Sequence, residues 1–428
     1  MIILYRIMLD IKFIRENKGL IQQAAQKKHI EFDVDKLVEV DEKRKRFLGR
    51  VEEKRAEQKV ANNTIVKASS EERDGILEKM KVLKGELLRA EGELKTIMKE
   101  WQALMLQVPN VPDVSVPDGD SDADNKEIKK WGEIPRFDFE PKDHVEIMTS
   151  LDMADFERGV KVAGFRGYFL KGSGAMLSFA VWHYALDFFV SRGLSLYLAP
   201  SMVRREPLLG TGWLPQSEED LYKVQDEKYL AGTAEVATMG LYQDEVIPKE
   251  ELPKKILAFS PCFRREIGSH SKDVKGLIRV HEFFKFEQVI LCEASHDESV
   301  KYHEELNRNT EEFIESLKIP YRTVINCGGD LGLGQVKKYD IELWVPLENT
   351  YREIGSASYF HDFQTRRLNI RYKDSEEKPK YAHSLNNTAI ATPRILVSLV
   401  ENFQQADGSI KIPEVLVPYM NGLSEIKK

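Results

Sequence analysis

Three cysteines in 428 residues, Cys262, Cys292 and Cys327, are too few and too scattered to staple a fold. No CxxC pair and no Cys/His ligand spacing occurs, so neither a disulfide framework nor a structural zinc site is expected, and a reducing cytoplasmic setting fits. Long apolar runs are missing as well. The longest, LSFAVWHYALDFFV, carries His183 and Asp187, and the opening MIILYRI is too short to cross a bilayer, so no membrane association is expected. The formal charge is −7, which excludes nucleic-acid binding by bulk charge and confines any such contact to a local patch. Few prolines and glycines beside 42% hydrophobic residues describe a folded chain long enough for two or three domains. Met8 opens the more ordinary start MLDIKFIREN, so residues 1–7 read as an extension from an upstream start.

What is present falls into two halves of different periodicity. Ile76, Met80, Leu83, Leu87, Ala90, Leu94, Ile97, Trp101 and Leu104 alternate four and three apart, the spacing of a coiled-coil seam. Leu37, Val40, Phe47, Val51, Ala61 and Ile65 keep the same register upstream, with Arg44, Lys54 and Gln58 interrupting it. KASSEERDG supplies a turn between them, and Ser69 and Glu72 have capping-box spacing, so the spacing predicts an antiparallel hairpin arm over about residues 34–104. The pattern by itself fits a dimerisation coil best. VPNVPDVSVPDGDSDADN then breaks the helical pattern, which divides the chain into an N-terminal domain (1–107), a linker (108–135) and a second domain (136–428).

Beyond the linker, a helical stretch over 174–191 mixes with strands such as LSLYLAP, KILAFSPCF, FFKFEQVIL and KYDIELWVP. Strands that follow one another without regular βαβ alternation predict an α+β domain with a mainly antiparallel sheet flanked by helices. CFRREIGSHSKDVKGLIRVHEF, residues 262–283, joins two of them and crowds cations around one carboxylate. An arginine fork such as that of Arg264 suits an α-phosphate or a carboxylate, because it donates two parallel hydrogen bonds and keeps its charge. Glu266, two residues on along a strand, would face the same side and accept from an exocyclic amine, while Phe283 on the returning strand could stack under a base. A cross-strand Arg264–Glu266 salt bridge and a core phenylalanine explain the same residues equally well.

The stretch does not stand alone. FRREIGS…KGLIRVHEFFKFE resembles motif 2 of the class II aminoacyl-tRNA synthetases in its seryl form, and TAE (233–235), YDIELW (339–344), NTYREIGS (349–356), DFQTRR (362–367) and LNNTAIATPR (385–394) follow the family order. The likeness extends over essentially the whole chain, including the arm and WGEIPRFDFEPKDH. It implies a cytoplasmic seryl-tRNA synthetase with a class II catalytic domain: serine and ATP give seryl-adenylate and pyrophosphate, and the seryl group passes to the 3′ end of tRNA(Ser).

The resemblance also implies roles. Arg264 would bridge the α-phosphate and the serine carboxylate, Glu266 would hold the adenine amine, and Arg394 would face Phe283 across the ring; these three, Arg264, Glu266 and Arg394, are the implied catalytic set. Arg265, Glu353, Ile354, Gly355 and Ser356 complete the ATP segment, with Glu353 and Ser356 toward Mg²⁺. Thr233, Ala234, Glu235, Glu287, Asn386 and Thr388 match the serine pocket, Glu235 toward the α-amine and Glu287 and Thr388 toward the hydroxyl. The arm would reach tRNA through Lys43, Arg46, Arg50, Lys54 and Arg55, and a homodimer is implied by the helix ending near Arg192, the strand after it and Pro200. Gly355 departs from a frequent family serine, which implies the loss of one hydroxyl contact near ATP. Asn387, Ala389 and Pro393 stand in place of motif 3 glycines. A paralogue loading another acceptor and an inactive scaffold are the rival readings; the full arm speaks against the first, and the joint presence of Arg264, Glu266, Glu287, Glu353 and Arg394 against the second.

Overall fold

A computed structural model describes residues 9–267, 273, 275–376 and 378–428. The extension read at residues 1–7 lies outside the described residues, as do His270 and Lys272 of the cationic stretch. The chain divides into two compact units, one of Met1–Gln26 with Ile30–Val111, the other of Lys27–His29 with Pro112–Lys428.

The first unit is dominated by two long helices, α1 (Val34–Lys67) and α2 (Ser70–Met105), which pack on each other as the hairpin the spacing predicts. Asp33 caps α1 by accepting from the Lys36 N–H at 2.9 Å. At the turn, Ser69 and Glu72 form the expected capping box, Glu72 accepting from the Ser69 N–H at 3.0 Å and from its hydroxyl at 2.8 Å. Leu37, Val40, Val51, Leu87, Ala90 and Trp101 are buried, so the seam is satisfied within one chain and needs no second copy. Two of its polar interruptions, Arg44 and Lys54, have partners of their own. Arg44 lies 4.4 Å over the Trp101 ring and pairs at 2.7 Å with the buried Asp41, and Lys54 meets Glu86 at 2.5 Å. Ile76 and Met80, nearer the turn, are only half-buried, so packing weakens toward the tip.

The second unit is built on an eight-stranded sheet with helices on it. Its strands are β1 (Lys126–Trp131), β2 (Ser195–Leu198), β3 (Lys254–Phe263), β4 (Glu282–Cys292), β5 (Tyr321–Ile325), β6 (Lys337–Val345), β7 (Thr350–Tyr359) and β8 (His383–Thr392). They lie in the order β1-β5-β6-β7-β8-β4-β3-β2, and every neighbouring pair is antiparallel except β2 with β3. The helices that matter for the site are α3 (Gly172–Val190), α4 (Ala234–Leu241), α5 (His296–Ser316) and α6 (Arg394–Asn402). Among the described residues no helix is long and apolar enough to cross a membrane.

The segment 108–135 is not a free connector, and here the sequence reading is corrected. Its end forms β1, paired with β5, and its Pro- and Asp-rich part is bonded to the unit: Gly328 N–H donates to the Pro117 carbonyl at 2.9 Å and Cys327 N–H to Asn125 Oδ1 at 2.9 Å. KEIKKW is an edge strand whose residues stay exposed or half-buried, so it carries no apolar alternation to read.

Strand alternation sorts the central residues into two faces. Gln288 of β4 and Asn387 of β8 turn toward α5, where Gln288 Nε2 donates to Thr310 Oγ1 at 3.0 Å and Asn387 Nδ2 to the Leu306 carbonyl at 2.6 Å. The asparagine in place of a motif 3 glycine thus ties β8 to its helix. Glu287, Asn386 and Thr388 take the opposite face.

Trp101→Ala removes the largest side chain of the hairpin seam together with the platform under Arg44. We expect a loss of about 3–5 kcal/mol in the first unit, read as faster amide exchange along α1 while exchange in the sheet is unchanged.

Candidate active site

On that opposite face the central strands line a cavity of about 320 Å³. Thr233, Glu235, Arg264, Glu266, Phe283, Glu287, Glu353, Ile354, Gly355, Ser356, Asn386, Thr388 and Arg394 all line it, residues scattered over more than 150 positions of the chain that the sheet brings together.

Two bulges set which side chains reach it. The pairing of β6 with β7 shifts between Ile341 and Glu342, leaving Ile354 as the extra residue, so Glu353 and Ser356 both reach the cavity although three apart. The pairing of β4 with β8 shifts between Phe286 and Glu287 and sets Glu287 directly opposite Thr388.

Arg264 and Glu266 do share the cavity, but not by strand alternation. β3 ends at Phe263, and Glu266 has a left-handed backbone, φ 55°. Nor do they pair with each other. Arg264 Nε donates to the Gly232 carbonyl at 3.3 Å, and its guanidinium carbon lies 5.6 Å from the Trp213 ring and 5.5 Å from the Phe283 ring. Glu266 instead accepts from Arg279 at 2.5 Å. The salt bridge that could have explained Arg264 and Glu266 without a ligand is therefore absent. Arg394, the first residue of α6, donates from Nε to the Ile278 carbonyl and from a terminal nitrogen to the Glu353 carbonyl, both at 2.9 Å.

The other end of the cavity is buried and polar. Thr233 hydroxyl donates to Glu287 Oε2 at 3.1 Å, and the buried Lys285 pairs with the same carboxylate. Glu235, in the first turn of α4, accepts from Gln364 Nε2 at 2.6 Å, and Gln364 is held by the Ser384 hydroxyl at 2.8 Å. Burial, with the Glu287 charge behind it, pushes the Glu235 carboxyl up to about 7.

Two expected residues stand elsewhere. Arg265 turns away from the cavity, its N–H on the Asp220 carbonyl at 2.9 Å and its guanidinium on the Glu219 carbonyl at 3.1 Å, because the chain has left the strand and adjacent side chains diverge. Ala234 is buried in the first turn of α4 and does not line the cavity. Lys285, Trp213 and Gln364 were missed. Lys285 was readable, since it shares the strand face of Phe283 and Glu287, and Gln364 lies inside the DFQTRR motif; Trp213 lies in a segment without periodicity.

Gly355 has a different meaning from the one expected. A Cβ there would stand 2.5 Å from Thr388 Cβ, so the glycine makes room for Thr388 and a serine would collide with it. On the arm, Lys43 pairs with Glu39 at 2.6 Å, Arg50 with Glu93 at 3.9 Å, Lys54 with Glu86 at 2.5 Å and Arg55 with Glu91 at 2.7 Å. Arg50, Lys54 and Arg55 pair across the hairpin and Lys43 within α1, whereas Arg46 is exposed and joins none of these pairs.

An antiparallel sheet carrying an arginine just past β3, a second arginine opening α6 and carboxylates between them defines the core of a class II aminoacyl-tRNA synthetase. Residues 220–403 match the family model "tRNA synthetase class II core domain (G, H, P, S and T)", and residues 8–112 match "Seryl-tRNA synthetase N-terminal domain". The chain is 46% identical over 416 residues to the serine–tRNA ligase of Deinococcus radiodurans, covering 97% of this chain and 98% of that protein. It is 41% identical over 423 residues to the serine–tRNA ligase of Nitrosopumilus maritimus, covering 98% and 100%. A crystal structure of seryl-tRNA synthetase from Pyrococcus horikoshii complexed with ATP matches with a TM-score of 0.88 at 37% identity, covering 98% of this chain and 99% of that one. The chain belongs to the seryl-tRNA synthetase family.

Gly355→Ala puts a methyl group against Thr388. We expect the KM for the amino acid to rise at least about tenfold in pyrophosphate exchange, with the KM for ATP changed less than threefold; equal changes in both contradict the assigned contact.

Proposed function

We propose that the chain activates L-serine with ATP and passes the seryl group to tRNA(Ser). The observation that carries this reading is an arginine, Arg264, that joins no ion pair among the described residues, at the junction between a polar pocket sized for a small amino acid and a wall suited to a nucleotide. Glu235 receives the α-ammonium, Glu287 and Thr388 the hydroxyl, and Asn386 lies beside them. Glu266, Phe283 and Arg394 hold adenine, and Arg264 aligns the serine carboxylate with the α-phosphorus. In the first step a carboxylate oxygen bonds to that phosphorus and pyrophosphate leaves. In the second the terminal ribose hydroxyl of the tRNA attacks the adenylate carbonyl and AMP leaves. No side-chain nucleophile is required, since holding the reactants in line supplies much of the rate.

Glu353 and Ser356 present a carboxylate and a hydroxyl from one strand to the same cavity, a donor set that fits Mg²⁺. The ion when bound neutralises phosphate charge. The three free, buried cysteines fit a reducing cytoplasm. A homodimer is supported by β2, an edge strand exposed along its whole length, whose Leu196 and Leu198 stand beside the exposed Phe179 of α3. A second copy covers this face, which would otherwise invite indiscriminate edge pairing. For the tRNA, the pairing of first-helix cations shifts weight to Arg46 and to the exposed Lys79, Lys81, Lys84 and Arg89 of α2.

Pyrophosphate exchange across the twenty amino acids tests the reading: exchange depends on serine and Mg²⁺ and proceeds without tRNA, and exchange driven by another amino acid overturns it. Arg264→Lys keeps the charge but loses the fork, and should lower exchange by about 3–4 kcal/mol of transition-state stabilisation; activity within tenfold of the parent makes Arg264 merely structural.

The raised Glu235 carboxyl gives a pH test. Free Glu235 is half protonated near pH 7, and an ammonium ligand requires the carboxylate, so serine binding expels the proton. The KM for serine should rise about fivefold from pH 7 to pH 6, about tenfold from its plateau above pH 8. Glu235→Gln should flatten that profile while raising KM throughout.

Replacing residues 34–101 by a short Gly-Ser closure should leave serine-dependent exchange near the parental rate and lower aminoacylation by orders of magnitude. An armless protein that charges tRNA at the parental rate but elutes as a monomer would make the arm a dimerisation device.

A further inference from the structure

Lys28 is buried to 3% exposure, and no role in the reaction described above uses it. Its ammonium donates to the carbonyl of Gly332 at 3.1 Å, of Leu333 at 3.0 Å and of Gln335 at 2.6 Å. Three donations exhaust an ammonium and exceed what a neutral amine can make. Burial draws the group from its usual value down to about 7, while the three carbonyl oxygens favour the charged form. The neighbouring backbone is equally close, since a Cβ on Gly328 would stand 2.1 Å from the Lys27 carbonyl oxygen.

The loop that accepts these bonds is a wall of the cavity: Gly332, Leu333, Gly334 and Gln335 all line it. It is tied from the inside as well. Gln335 Oε1 accepts from the Gly332 N–H at 2.7 Å, and Gln335 Nε2 donates to the Ser358 hydroxyl at 2.8 Å. Ser358 stands opposite Asn386 in the pairing of β7 with β8, which locates the loop at the amino-acid end of the cavity. A Cβ on Gly334 would stand 2.4 Å from the Phe363 ring, next to the Gln364 that holds Glu235, so the loop cannot settle inward. Glycines at 332 and 334 leave it little stiffness of its own. Lys28 holds it from outside and Ser358 from within.

We propose that Lys28 is a positioning residue for serine, clamping residues 332–335 as the wall of the amino-acid pocket. The inference rests on the serine-activation reading above. Its signature is selective: loss of the clamp widens the serine end and leaves the Phe283–Arg394 end intact. A general loosening of the fold moves both ends together.

The test is pyrophosphate exchange with the full-length Lys28→Met and Lys28→Arg proteins, with thermal unfolding of each alongside. Methionine keeps the length and loses all three donors. We expect its serine KM to rise about tenfold with the ATP KM within twofold of the parent and the melting midpoint close to it. Arginine keeps the charge, but its planar fork cannot converge on three carbonyls from one nitrogen, and a serine KM about threefold above the parent is expected. A serine KM within twofold of the parent in Lys28→Met, or parallel rises for serine and ATP, overturns the proposal. If Lys28→Met is not recovered folded, Lys28→Arg decides on the same two criteria. A parent protein without serine-dependent exchange overturns the functional reading and this inference with it.

Discussion

A carboxylate at 3% exposure in the middle of a sheet is the constraint around which the pocket is organised. Glu287 can remain there only because hydrogen-bond donors meet it, and the fold supplies the Lys285 ammonium from its own strand and the Thr233 hydroxyl from the cap of α4. Stranding one member of such a buried pair costs about 3–5 kcal/mol. The donors in turn restrict the neighbourhood. Thr388 must stand opposite Glu287, a bulge sets that register, and Gly355 must have no side chain so that Thr388 fits. A site that spends its interior on a carboxylate, a threonine and an asparagine favours a ligand that brings matching donors and penalises one that does not.

The two ends of the cavity differ in kind. At the end proposed for the amino acid the groups are buried and mutually bonded, with Gln364 and Ser384 bracing Glu235 from behind. At the end proposed for the nucleotide they are half-buried or exposed and held chiefly by backbone carbonyls, as Arg394 is by Ile278 and Glu353. A closed pocket suits discrimination between small amino acids, and a more open wall suits a ligand that must enter, react and leave as pyrophosphate and nucleotide.

Legibility in the sequence followed periodicity. The hairpin could be read because Leu37, Val51, Leu87 and Trp101 repeat at heptad spacing, and β3, β4 and β6 because they alternate or run apolar. The strand Lys126–Trp131 could not, since an exposed edge has no apolar face to announce it. The motifs carried most of the residues that line the cavity. Individual side-chain directions failed where the chain left regular structure: Arg265 follows the end of β3 and turns outward, and Glu266 reaches the cavity through a left-handed backbone that no alternation rule describes. For the arm cations the sequence shows charge and not partners; Glu86, Glu91 and Glu93 on the facing helix take up three of them. Gly355 looked like a lost hydroxyl, and only the packing of Thr388 shows it as a requirement of space.

The most direct measurement is calorimetric binding of two non-hydrolysable adenylate analogues that differ only in the amino-acid side chain, one seryl and one alanyl. If Glu287 and Thr388 read the hydroxyl, the seryl analogue binds at least about a thousandfold more tightly, because the alanyl analogue leaves buried polar groups without partners. Affinities within about tenfold of each other would contradict the account.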